Sequence, residues 1–262
     1  MQDPEIPIEI ESSGEGPTLL MLPGSFSTAA AWRPVRRLLE GSHRIVAASL
    51  PGYGGSADRR IDGDAGIESF SPFLARLARE AGGPVHLVGH SFGATVALAG
   101  AIGDELELAS LTLVEAIPLH ILGYEEAAPH GARYLAEINA TRNAGMAKMA
   151  EGRPDSARMV IDMWSGAGSF ESLAPQVRDY ALRTAAVNLR DWESALDFDP
   201  GKGALAALAC PVALVHGTQS HPSISLMNGL LEKEIATARR FPVEGASHFL
   251  PYTHAEELAG II

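Results

Sequence analysis

Apolar side chains recur along this chain in two rhythms. Short apolar runs at residues 18–22, 44–48, 85–88, 111–114, 212–215 and 240–243 have strand length, and most are separated by stretches with helical spacing. The helical patterns cover residues 28–39, 68–81, 92–102, 224–236 and 254–262. Strands that alternate with helices in this way predict an α/β fold with a doubly wound, mostly parallel sheet covered on both faces. Residues 6–11 are expected to add an antiparallel edge strand.

The alternation stops between Pro118 and Leu196, where no convincing strand occurs and the composition shifts to Ala, Met, Arg and Glu. A compact domain does not hold a structureless loop of that length, so the segment is expected to form helices of its own. It is read as a cap, residues 118–196, inserted after the strand that ends near Glu115. The core domain is then built from residues 1–117 and 197–262. Met146, Met149, Met159, Met163, Trp164 and Trp192 either line a substrate pocket under this cap or form its internal core and its seam with the sheet.

Where the run at 85–88 meets the helix at 92–102, the chain reads Gly89-His90-Ser91-Phe92-Gly93. The pattern G-x-S-x-G is weak alone, but on a strand-to-helix corner it describes a turn that exposes a nucleophilic serine. Glycine on either side lets strand and helix pass closely, and the free N–H of Phe92 at the helix start is placed to receive an oxyanion. The plainer role for Ser91 is to cap the helix. A serine nucleophile needs a base. Of nine histidines, His248 follows the last strand by a short Glu244-Gly245-Ala246-Ser247 loop, at the sheet edge where reactive groups gather, with His216 as the second candidate.

Composition narrows the partners. The 262 residues carry a formal net charge of -12, which argues against nucleic acid and anionic membrane surfaces and leaves small molecules as substrates. No apolar run is long enough to span a membrane, and residues 1–10 lack the basic and apolar regions of a secretory signal. The single cysteine, Cys210, rules out an internal disulfide, reads as a buried inert thiol, and fits a reducing cytoplasm. Oligomeric state leaves no mark. No histidine–carboxylate spacing such as H-E-x-x-H occurs, so neither a metal nor a cofactor is expected.

Four motifs in order make the chain resemble the α/β-hydrolase fold family. They are Leu22-Pro23-Gly24-Ser25, Leu50-Pro51-Gly52-Tyr53-Gly54-Gly55-Ser56, the Gly89 to Gly93 elbow, and Gly245-Ala246-Ser247-His248-Phe249-Leu250-Pro251. The resemblance implies that the residue after Gly24, here Ser25, supplies a second oxyanion amide beside Phe92. Pro23 stands where family members usually carry histidine. The family's triad aspartate usually follows the penultimate strand, but this chain has Ser220 at that place and no Asp or Glu between Val212 and Leu231. Other members place the acid after the strand that follows the nucleophile helix, and here that residue is Glu115, 24 positions after Ser91. Glu115 otherwise caps the next segment or pairs with an arginine, and the acid is absent.

These residues imply a serine hydrolase of small carboxylic esters, working through an acyl-enzyme and a Ser91–His248–Glu115 triad. Serine at the elbow disfavours the dehalogenase and epoxide hydrolase chemistries of the same fold, which use aspartate there. Thioester or carbon–carbon bond hydrolysis, acyl transfer, and a ligand-binding protein on a degenerate scaffold are the rival readings.

Overall fold

In the computed structural model, which describes residues 7–58, 60, 66–103, 105–153 and 155–262, seven strands form one sheet. They are β1 (Ile10–Ser13), β2 (Thr18–Leu22), β3 (Arg44–Ala48), β4 (Val85–His90), β5 (Leu108–Val114), β6 (Val212–Gly217) and β7 (Ala238–Val243). Their spatial order is β1-β3-β2-β4-β5-β6-β7, with β1 antiparallel to β3 and every other pair parallel. The expected doubly wound α/β architecture is therefore present.

Period-two burial explains why the strands read as apolar throughout. Leu20, Leu22, Val46, Leu87, Leu111, Leu113 and Leu214 belong to a core on one face, and Leu19, Met21, Ile45, Ala47, Val88, Val114 and Val215 to a core on the other. The helices are α1 (Arg33–Leu39), α2 (Ser71–Ala81), α3 (Phe92–Ile102), α4 (Gly131–Ala150), α5 (Ser156–Ser165), α6 (Ser169–Ser172), α7 (Pro175–Arg183), α8 (Ala185–Asp197), α9 (Gly201–Ala206), α10 (Pro222–Glu234), α11 (Leu250–Thr253) and α12 (Ala255–Ile261). Phe73 and Leu77 of α2, Val96 of α3 and Met227 and Leu231 of α10 join the first core, whereas Val35 of α1 and Leu258 of α12 join the second. Helix α3 is apolar nearly all round because it is buried nearly all round.

Several boundaries differ from the sequence expectations. Of the edge strand expected at 6–11, Ile6 lies outside the described residues, and pairing begins at Ile10 because the carbonyls of Pro7 and Glu9 accept instead from the amides of Ala57 and Ser49 in a loop. The helices expected at 28–39 and 68–81 each begin as a 3₁₀ turn, Ala29–Trp32 and Ile67–Phe70, and become α-helical at the turn that holds Pro34 or Pro72. The C-terminal helix expected at 254–262 forms as α12, and a separate single turn, α11, precedes it across His254. Cys210 is half-buried, not buried as expected, since it precedes β6 at the sheet's rim, where cover is partial; it still packs on the first core. Among the described residues no helix is long and apolar enough to cross a membrane.

Candidate active site

Strand order reverses direction between β2 and β4, and at such a switch point the carboxyl ends of the strands leave a crevice. The chain brings the loop after β2, the turn after β4, the residue after β5 and the loop after β7 to that edge. Ser91, one residue past β4, holds φ 54° and ψ -123°, a conformation that costs an ordinary residue about 1–3 kcal/mol and persists only where its surroundings impose it. Packing imposes it here. A Cβ on Gly93 would lie 2.6 Å from the Leu22 carbonyl oxygen, and one on Gly89 would lie 2.6 Å from Ala94 Cα. The sharp corner therefore requires glycine on both sides.

Ser91 Oγ lies 2.9 Å from His248 Nε2 and donates to it, while His248 Nδ1 donates to Glu115 Oε2 at 2.9 Å. Glu115 has no exposed surface. Its other oxygen, Oε1, accepts from the Gly217 amide at 2.5 Å and from the Ser220 hydroxyl at 2.9 Å. Burial by itself would raise this carboxyl's pKa, but the contact with His248 and the donors from Gly217 and Ser220 outweigh burial and hold it below the ordinary value. Phe92 is the first residue of α3, so its amide has no acceptor inside the helix, and it lines a cavity together with Ser25, Ser91 and His248.

The other histidines are placed differently. His90 turns away from the serine, and its Nε2–H donates to the His248 carbonyl at 2.9 Å. Burial, reinforced by the neighbouring His248, pushes the His90 pKa down to about 3, so its ring is a neutral donor. His216, the second candidate for the base, accepts from Asn228 Nδ2 at 3.1 Å through Nδ1. His86, on β4, is half-buried and pairs with Ser110 at 2.8 Å.

The cavity above Ser91 measures about 410 Å³, and helices α5, α7 and α8 supply its far wall. Trp164 and Trp192 line it, as one of the two sequence readings held. None of Met146, Met149, Met159 and Met163 does: Met149 and Met163 pack on the core, and Met146 is 40% exposed. Trp164 stacks on the His248 ring at 5.7 Å between centroids and on Trp192 at 6.2 Å, so an aromatic column stands over the histidine.

Sequence reasoning missed a buried polar cluster in this wall. Asp191 on α8 accepts from Arg60 Nη1 at 2.6 Å through Oδ1, and from Ser25 Oγ at 2.6 Å and Tyr53 Oη at 2.5 Å through Oδ2. A signal for it existed: Asn188, Asp191, Trp192 and Ala195 share one helical face and are all buried, so two polar residues interrupt a stripe that packs inward.

Comparison with known proteins agrees with this architecture. The model of the alpha/beta hydrolase family matches residues 19–261. A Variovorax paradoxus protein provisionally named as a carbamate hydrolase is 32% identical over 110 residues, 41% of this chain and 41% of its own length. The matched stretch thus spans about two fifths of that relative. The pimeloyl-acyl-carrier-protein methyl ester esterase of Aeromonas hydrophila is 24% identical over 259 residues, 97% of each chain. The crystal structure of a Bacillus anthracis bromoperoxidase superimposes with a TM-score of 0.77 at 19% identity, covering 97% of this chain and 93% of that one, and shares the fold. The chain belongs to the alpha/beta hydrolase family.

Proposed function

We propose that the protein hydrolyses small carboxylic esters through an acyl-enzyme formed on Ser91. The observation that carries the reading is the unbroken hydrogen-bonded path Ser91 Oγ–His248 Nε2, His248 Nδ1–Glu115 Oε2 beneath a largely apolar cavity. His248 removes the serine proton as Oγ attacks the ester carbonyl carbon, and the amides of Ser25 and Phe92 hold the oxyanion that results. The imidazolium returns its proton to the departing alkoxide. Water, deprotonated by the same histidine, then attacks the acyl-enzyme and frees the acid. Glu115 keeps the Nδ1–H tautomer and stabilises the imidazolium without taking the proton itself.

In this reading residues 118–196 form a cap over the sheet edge and shape the pocket. The full-length relative named for a methyl ester esterase supports ester chemistry. A fluorophosphonate probe tests the proposal. Labelling of the wild type and none of Ser91→Ala is the expected result, and an unlabelled wild type would overturn it.

A further inference from the structure

We infer that the cavity above Ser91 accepts only esters whose enclosed portion carries no charge, and that Asp191 enforces this selection. The inference rests on Ser91 being the nucleophile. Among the described residues lining the cavity, Asp191 is the one carboxylate and no lysine or arginine occurs. Arg60, the cation bound to Asp191, is buried and fully engaged: Nη1 binds Asp191, Nη2 donates to the Pro51 carbonyl at 3.0 Å, and Nε donates to Asp58 at 3.0 Å. Asp58 also accepts from Arg190 at 2.9 Å. Two carboxylates and two guanidiniums thus cancel within one cluster.

A carboxylate on the substrate would leave water and find no unpaired cation, because Asp191 already neutralises Arg60. A substrate ammonium would meet an Asp191 whose two oxygens already hold Arg60, Ser25 and Tyr53. Either ion enters the cavity unpaired, the costliest state for a buried charge. A neutral acyl chain meets apolar walls such as Val160, Ile161 and Leu173 at no such cost. The same Asp191 ties the Ser25 hydroxyl, so selection against charge is made beside the proposed oxyanion amide.

The test compares two vinyl esters of adipic acid that differ only at the far end, a free carboxylate against its methyl ester, with released acetaldehyde as readout. The wild type is expected to favour the neutral ester by about 100-fold or more in kcat/KM, the scale of an unpaired buried ion. Asp191→Asn shifts the cluster by one positive charge, leaves Asp58 to balance Arg60, and is expected to narrow that ratio about tenfold. Equal turnover of both esters by the wild type overturns the inference, and an unchanged ratio in a folded Asp191→Asn removes Asp191 from it. If Asp191→Asn does not fold, the wild-type ratio still decides. Binding to Ser91→Ala, followed by fluorescence of Trp164 and Trp192, separates charge selection from the chemistry. Dimethyl adipate is expected to bind and monomethyl adipate is not, and equal binding overturns the selection whatever Ser91 does.

Discussion

Ser91 and Glu115 each stand one residue past the paired ends of neighbouring strands, and both backbones turn through the left-handed region, at φ 54° and 53°. The Ser91 amide donates to the Val114 carbonyl and the Glu115 amide to Val215, so each turn is pinned by the adjacent strand. Two strained non-glycine residues side by side at one sheet edge put hydroxyl and carboxylate on opposite nitrogens of the same imidazole.

Glu115→Gln keeps the shape of the side chain but removes the charge that, in the proposed mechanism, orients and stabilises His248. Ester turnover is expected to fall by about two to four orders of magnitude in kcat, the range seen when a triad acid is neutralised. Steady-state kinetics with a short-chain ester measures this, and near-wild-type turnover would remove Glu115 from the mechanism.

Ser220 holds the far oxygen of Glu115, so Ser220→Ala is expected to lower kcat about tenfold, the effect of one hydrogen bond to a charged group, while the Gly217 amide keeps the carboxylate in place. The pair Glu115→Gln, Ser220→Asp moves the charge across that 2.9 Å contact and is expected to recover at least part of the turnover lost in Glu115→Gln. No recovery in a folded double variant would mean that the β6 loop cannot present an acid to His248.

His90 is neutral in the folded protein down to about pH 3 but takes up a proton near 6.5 when unfolded. The unfolded chain therefore binds the extra proton between those values, and stability is lost as pH falls from 6.5 toward 3. His90→Asn keeps a donor and does not titrate. Urea midpoints at several pH values are expected to fall less steeply for the variant, and parallel curves would contradict the assignment.

Trp164 covers one face of His248, and a π face stabilises an imidazolium while it restricts rotation of the ring. Trp164→Leu is expected to reduce kcat about three- to tenfold, with Trp164→Phe retaining most of it, as judged from the 0.5–1.5 kcal/mol typical of aromatic pairs. Equal kinetics for the Leu and Phe variants would reduce the tryptophan to a space-filling role.

Arg60 lies between Asp58 and Asp191, so its removal strands the buried Asp191, while Asp58 keeps Arg190 as a partner. Arg60→Ala is expected to destabilise the fold by about 3–5 kcal/mol in urea denaturation, the usual cost of breaking a buried ion pair from one side. A loss under about 1 kcal/mol would show that water reaches the cluster.

The parallel sheet and the elbow were legible because local sequence dictates them: runs such as Leu19 to Leu22 and Val85 to Val88 are apolar on both faces only if both faces are covered, and Gly93 is required by a close approach two residues from Ser91. The position of His248 beyond the last strand was legible for the same reason, since strand ends are set by local pattern. The partnerships were not. Ser220 and Glu115 are 105 positions apart, Ser25 and Asp191 166, and His90 and the His248 carbonyl 158. A hydrogen bond between residues so distant depends on how β5, β6 and α8 are docked, and docking is settled by packing over the whole core, which no single segment encodes. The sequence alone determined which elements form and which chemistry-bearing residues reach the carboxyl edge. Tertiary structure alone decided which of them touch, because angles and distances of a few ångströms between elements follow from close packing and not from local pattern.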